Sequence, residues 1–300
     1  MTRSATETER IATPDGRVLT VRRDGDTLGF PIVIHHGTPG SSLLYEPHVR
    51  DAWTHGIMLL SYDRPGYGGS TRQPGRSVAD CVTDVVAICD AFGIDRFCTW
   101  GVSGGGPHAL ATAALLPDRC VAAAALASVA PFDAEGLDFT AGMGEANVES
   151  FAAASGSETE HRAQHELELT RVCDATPEAF LTEFRTILGA PDVEVLSAGL
   201  VDFMLANMRA GAEPSSDGWF DDDLVFLNPW EFDVASIEVP VLVWQGEQDL
   251  MVPFAHGQWL AAHIPGAEAR LTAGDGHMTV LERQIRDVHA WLVDRFEAVK

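Results

Sequence analysis

Lysine is almost missing from this chain: Lys300 is the only one in 300 residues, and 20 Lys and Arg face 44 Asp and Glu, for a net charge of −24. Nucleic acid and anionic membrane surfaces both require a basic face, so neither is expected as a partner, and a small-molecule substrate is. Cysteine is scarce too. The five, Cys81, Cys89, Cys98, Cys120 and Cys173, are odd in number, form no CxxC pair and do not cluster with histidine. That pattern suggests neither a disulfide framework nor a metal site, only small buried thiols. No apolar run approaches the roughly 18 residues of a membrane span, and the polar first ten residues lack the apolar stretch of a secretory signal. A cytoplasmic location is expected. No feature specifies an oligomeric state.

What is present is a globular composition, 46% hydrophobic and 21% charged, on a length that suits one large domain or a core with an inserted subdomain. Short apolar runs alternate with amphipathic segments over the first 130 or so residues and again after about residue 236. Residues 31–35 (PIVIH), 56–62 (GIMLLSY), 96–100 (RFCTW), 121–127 and 239–244 (VPVLVW) read as buried strands. Residues 77–92 carry Val78, Val82, Val85, Val86 and Cys89 at helical spacing. Strand and helix alternate, so a largely parallel sheet with both faces covered is expected.

From residue 132 to 235 the alternation stops, and residues 145–154, 158–173, 177–188 and 192–209 look like amphipathic helices. Thr176-Pro177 and Ala190-Pro191 put proline near helix starts. The segment has 22 Asp or Glu against four Arg and no Lys, a local charge of −18. Residues 1–131 and 236–300 therefore read as an α/β core and 132–235 as a helical cap over the sheet's C-terminal edge, where open α/β sheets bind ligands. Its charge reads as a solvated outer face. The sharper alternative is an acidic funnel that favours cationic or neutral substrates.

Trp100-Gly101-Val102-Ser103-Gly104-Gly105-Gly106 follows a predicted strand and precedes the apolar helical pattern 107–116. A strand turning sharply into a helix strains the residue at the corner, and neighbours without a Cβ avoid the clash. Ser103 thus becomes the candidate nucleophile, at a helix start that favours negative charge. A serine hydroxyl needs a base near neutral pH. Among the eleven histidines, His277 alone follows a late strand in a Gly-rich turn, and Asp249 sits on the loop after strand 239–244. The order Ser103, Asp249, His277 fits a nucleophile, an orienting acid and a base. Asp275 and Glu247 are the rival acids; Asp275 lies two residues before His277 and suits a turn, and Glu247 is displaced from the acid position. His35-His36-Gly37-Thr38-Pro39-Gly40 follows the strand 32–34. The backbone N–H groups of Thr38 and Gly104 are the expected donors to an oxyanion, with His36 orienting the loop.

Together with Asp63-Arg64-Pro65-Gly66-Tyr67-Gly68-Gly69-Ser70, Gly246-Glu247-Gln248-Asp249 and Gly276-His277, these motifs resemble the α/β-hydrolase superfamily, in its esterase, lactonase and peptidase-like branch. The resemblance spans nearly the whole chain and is specific outside the insert. It implies an eight-stranded, mostly parallel sheet with an inserted helical cap, no cofactor, and an acyl-enzyme mechanism. Asp63 and Arg64 match a turn that is mainly structural. Haloalkane dehalogenases and epoxide hydrolases of the superfamily carry Asp where Ser103 stands, which argues against both. The HGTPG segment is similar to the HGGPG of proline iminopeptidases, but the GGSWG of their elbow is absent.

The expected function is hydrolysis of a carboxylic ester, lactone or amide through an acyl-Ser103. C–C bond hydrolysis, perhydrolysis and acyl transfer would use the same triad. A binding protein that retains the triad is the remaining class.

Overall fold

The structure is a computed structural model that describes residues 6–299. In chain order the first part contains β1 (Glu7–Ala12), β2 (Val18–Gly25), β3 (Phe30–His35), α1 (Glu46–Thr54), β4 (Ile57–Tyr62), α2 (Cys81–Ala91), β5 (Phe97–Val102), α3 (Gly106–Leu115) and β6 (Cys120–Leu126). Six helices follow: α4 (Glu145–Ala154), α5 (Glu158–Asp174), α6 (Pro177–Phe184), α7 (Ala190–Val195), α8 (Ala198–Ala212) and α9 (Asp217–Leu227). The chain then returns to the sheet with β7 (Val241–Gly246), α10 (Phe254–His263), β8 (Glu268–Thr272) and α11 (His277–Glu297).

The eight strands form one sheet in the order β1-β2-β4-β3-β5-β6-β7-β8. β2 pairs antiparallel with β1 and β4, and every other pair is parallel, as expected of this fold class. β1 carries no alternating apolar face: only Ile11 is buried among polar neighbours, which suits an edge strand and hides it from a hydrophobicity reading. The parallel strands β3 to β7 are buried on both sides, and β8 at the edge is half-exposed. Leu110, Val85 and Leu260, from α3, α2 and α10, pack on one face. Val49 of α1 and Val280, Val288 and Leu292 of α11 pack on the other. β6 has four consecutive alanines, Ala122 to Ala125, that divide between these two cores. Alanine by propensity favours helix. Here α3 and α11 press on the two faces of a central strand, and methyl groups let both approach.

The helical segment starts as its sequence predicts, and its local caps are legible. Ser157 and Glu160 form a capping box on α5, and Thr176 caps α6 ahead of Pro177. The helix expected over 192–209 is two. α7 ends at Val195, and the Ser197 hydroxyl accepts a hydrogen bond from the Leu200 N–H at 3.2 Å to begin α8 afresh. The segment predicted at 177–188 is α6 with one tighter turn, Arg185–Ile187. α9 lies where the sequence analysis places no helix. A third apolar cluster joins Phe180, Leu200, Leu205 and Trp219 of these helices to Tyr67 and Met278 of the core.

Parallel pairing has one consequence for chemistry. The C-terminal ends of β3, β5, β7 and β8 lie along one sheet edge, and the loops after them carry Thr38, Ser103, Asp249 and His277.

Candidate active site

β5 ends at Val102, and Ser103 follows at φ 54°, a left-handed conformation that costs a non-glycine residue about 1–3 kcal/mol. The turn tightens through Ser103–Gly105 and continues into α3. It requires glycine on both sides. A Cβ on Gly101 would collide with the Gly105 carbonyl, and one on Gly105 with the His35 carbonyl. The strain lifts the Ser103 side chain clear of the sheet at the start of a helix.

His277 opens α11, and its Nδ1 lies 2.8 Å from Asp249 Oδ2. Asp249 is itself pinned on the loop after β7. The Met251 and Val252 N–H groups donate to Oδ1 at 2.8 Å each, and Gln245 Nε2 donates to Oδ2 at 2.9 Å. Both residues are buried. Burial favours the neutral imidazole, but the Asp249 charge and hydrogen bond, with a contribution from Asp192, outweigh it and raise the His277 pKa above the ordinary histidine value. The rival acids lie elsewhere. Asp275 accepts from Thr272 Oγ1 at 2.7 Å and Gln284 Nε2 at 3.1 Å, and Glu247 is exposed.

Thr38 and Gly104 face one another, since a Cβ on Gly104 would run into the Thr38 side chain. The loop that carries Thr38 is braced from below by Arg64, which is fully buried. Its guanidinium donates to the carbonyls of His36 and Gly37 and, at 2.9 Å, to Thr38 Oγ1. Its charge is balanced at 2.5 Å by Asp222 of α9. Asp222 also pairs with Arg76 at 2.8 Å and accepts from Tyr67 Oη at 2.8 Å and Thr38 Oγ1 at 2.7 Å. Burial works against the Asp222 charge, but Arg64 and Arg76 overcome it and hold the carboxyl well below the usual carboxylate range. His36 is kept neutral by burial and by Arg64. Its ring spans the Gly37 carbonyl and the Arg64 N–H, which is an orienting role.

Sequence reasoning missed a second insert carboxylate. Asp192 of α7 is fully buried and accepts from three successive backbone N–H groups at the start of α11: His277 and Met278 at 2.8 Å and Thr279 at 2.9 Å. These are the unpaired donors of a helix N-terminus, so Asp192 caps α11 from another element. Gly276 must be glycine, because a Cβ there would occupy the place of the Asp192 carboxylate. The only local signal was Pro191-Asp192, which reads as the first turn of its own helix.

Two cavities of about 170 and 230 Å³ open beside Ser103 and share Thr38, Pro39, Ser103, Phe184, Met208 and Met251 in their walls. His277 lines the first and Gly104 the second. The sequence-predicted residues thus converge: Ser103, His277, Thr38 and Gly104 border these cavities, and Asp249 sits behind His277. Among the described residues no group of His, Cys, Asp or Glu is arranged to hold a metal ion, and no helix is long and apolar enough to cross a membrane.

A sheet of this order, a strained serine after β5, and a buried Asp–His pair after β7 and β8 define an α/β-hydrolase. The family model for the alpha/beta hydrolase fold matches residues 31–284, and the chain belongs to that family of enzymes. It is 28% identical over 276 residues to a non-heme chloroperoxidase of Streptomyces lividans, covering 89% of this chain and 91% of that one. It is 26% identical over 254 residues to a bifunctional esterase/perhydrolase of Acinetobacter calcoaceticus, covering 81% and 83%. The enol-lactonase of Burkholderia xenovorans superposes with a TM-score of 0.69 at 20% identity, over 96% of this chain and 100% of that one, a likeness of fold.

Proposed function

We propose that the protein is a serine hydrolase that cleaves a carboxylic ester, or a related lactone or amide, through an acyl-Ser103 intermediate. Ser103 Oγ attacks the carbonyl carbon while His277 takes its proton. The oxyanion is held by the N–H groups of Thr38 and Gly104, in a loop that Arg64 fixes in place. Collapse breaks the bond to the leaving group, which receives the proton from His277. Water then attacks the acyl carbon as its proton passes to His277, and collapse breaks the bond to Ser103 Oγ, which takes that proton back from His277 as the acid is released. Asp249 holds the imidazole in the tautomer that leaves Nε2 free to act as base. The observation that carries this reading is the 2.8 Å His277–Asp249 contact beside the cavities that Ser103 borders. Esterase and lactonase names among the relatives and fold neighbours support it.

A fluorophosphonate probe and a p-nitrophenyl ester provide the test. Labelling at Ser103 and ester turnover that disappear together in Ser103→Ala are expected; an unlabelled Ser103 in the folded protein overturns the reading. The perhydrolase and chloroperoxidase relatives favour a second reaction at the same intermediate. Hydrogen peroxide would replace water in attacking acyl-Ser103, giving a peracid and free serine. Peracid formation on adding peroxide to an ester assay distinguishes it.

A further inference from the structure

Ser103 stands at the junction of two chambers, and the two differ in the catalytic group they contain. The first, about 170 Å³, has His277 in its wall with Tyr45, Phe203, Met204 and Leu281. The second, about 230 Å³, has Gly104 with Val129, Phe151, Ile187 and Phe226. Each is many times the roughly 10–15 Å³ that admits one water molecule. Both are walled mainly by apolar side chains, so each gains by burying hydrocarbon.

The chemistry assigns the chambers. In the tetrahedral intermediate the carbon carries Ser103 Oγ, the oxyanion, the acyl chain and the leaving oxygen. His277 can return its proton only to an oxygen within hydrogen-bond reach, so the leaving group must project to the His277 side. The acyl chain, on another bond of the same tetrahedral carbon, is then left the chamber on the Gly104 side. Charge narrows the class further. The His277 chamber carries Glu282, and the Gly104 chamber carries Glu168, Glu183 and Asp223. Arg171 is the one guanidinium in either wall, and it is paired with Glu183 at 3.4 Å. Asp223 is additionally bonded to His161 at 2.9 Å. An anionic substituent in either chamber would meet carboxyls without a free cation.

Resting on the acyl-Ser103 reading, we infer that the substrates are neutral esters with two extended apolar halves, the alcohol lying in the His277 chamber and the acyl chain in the Gly104 chamber. Acetyl and methyl esters leave one chamber empty and forgo its burial energy.

Met204 and Ile187 each line one chamber, lie outside the hydrogen-bonded machinery, and permit a crossed test. Two ester series are assayed, one varying the alcohol at constant acyl chain and one the reverse, on wild type, Met204→Trp and Ile187→Trp. Wild type should prefer the longer member of both series, and a terminal carboxylate on either half should abolish the gain. Met204→Trp should lower kcat/KM for long alcohols by about 10-fold or more, the scale of removing a pocket for a few methylenes, and spare short alcohols. Ile187→Trp should do the same for long acyl chains. The deacylation rate, measured after the alcohol has left, should change in Ile187→Trp alone. Deacylation sensitive to Met204→Trp, or exchanged selectivities, overturns the assignment. Turnover of esters without any length preference overturns the two-chamber inference and leaves the serine mechanism standing. Absence of acyl-Ser103 with any ester is instead the failure of the mechanism itself.

Discussion

The sheet core and the helical insert supply different halves of this site. The core provides the groups proposed to carry the chemistry: Ser103 from the turn after β5, His277 at the start of α11 with Asp249 behind it on the loop after β7, and the N–H groups of Thr38 and Gly104. The insert provides two buried carboxylates that hold those groups still. Asp222 balances the Arg64 that braces the Thr38 loop, and Asp192 caps the helix that begins with His277. The proposed chemistry therefore sits on the sheet edge, whereas the geometry of that edge depends on a helical segment whose apolar cluster reaches Tyr67 and Met278 of the core. The insert's charge divides by the same logic. Most of its acids are exposed, as a solvated face should be, but Asp221, Asp222 and Asp223 each have a separate partner: Arg72 at 2.8 Å, Arg64 at 2.5 Å and His161 at 2.9 Å.

The largest effects should come from the core. Ser103→Ala should abolish turnover with an unchanged unfolding transition, a loss on the order of 10⁶ as in other serine triads, and His277→Ala should cost nearly as much. The double variant should be no worse than either single one; multiplicative losses would show that the two do not act as a unit. Asp249→Asn should follow, falling about 10⁴-fold because the amide favours the wrong imidazole tautomer. Normal activity in that variant with a severe loss in Asp275→Asn would reassign the acid.

Changes in the insert should act on stability and tuning. Asp222→Ala leaves Arg64 and Arg76 buried without a counter-charge, and denaturant unfolding should show a loss of about 3–5 kcal/mol. Because the folded-state pKa of Asp222 is depressed, its stabilisation is present above the unfolded value and fades as pH falls through the folded one. Wild type and Asp222→Ala should therefore converge in stability in acid. If the gap between them stays constant down to low pH, Asp222 is not the titrating support described here.

Asp192→Asn should have a smaller effect, up to about 10²-fold in kcat from a shifted imidazole. Its pH profile is the sharper readout. His277 must be neutral to act as base, so kcat/KM in the wild type should rise with pH through a value above that of an ordinary histidine. Removing the Asp192 charge should move this limb to lower pH, an effect that loss of packing alone would not produce. An unmoved limb would limit Asp192 to capping. The mildest changes should be Asp275→Asn and Glu247→Gln, within a few-fold of wild type in kcat/KM by the standard of ordinary turn and surface positions.

How much could be read in advance follows the same division. The buried parallel strands, the strained turn at Ser103 and the residues of the His277–Asp249 pair were legible, because continuous apolar runs and glycine-flanked turns are local marks. β1 was not, since an edge strand with Ile11 as its one buried residue has no face to reveal. Nor was α9, whose apolar run is interrupted by three aspartates that gain partners only in the folded chain. The break between α7 and α8 was marked by Ser197, but a serine inside an apolar periodic run is weak evidence until its hydroxyl is seen to accept the Leu200 N–H.

The sequence by itself determined the strand–turn–helix strain at Ser103 and the residue types able to act as nucleophile, acid and base. These depend on backbone sterics and side-chain chemistry within a few residues. Tertiary structure alone decided that Asp192 meets the His277 N–H across 85 residues, and that Arg64 meets Asp222 across 158. It also decided that two chambers flank one serine. In a segment with 22 acids, composition cannot say which carboxylate is buried; only packing against the core removes water from Asp192, Asp221 and Asp222 and gives them hydrogen-bond donors in its place.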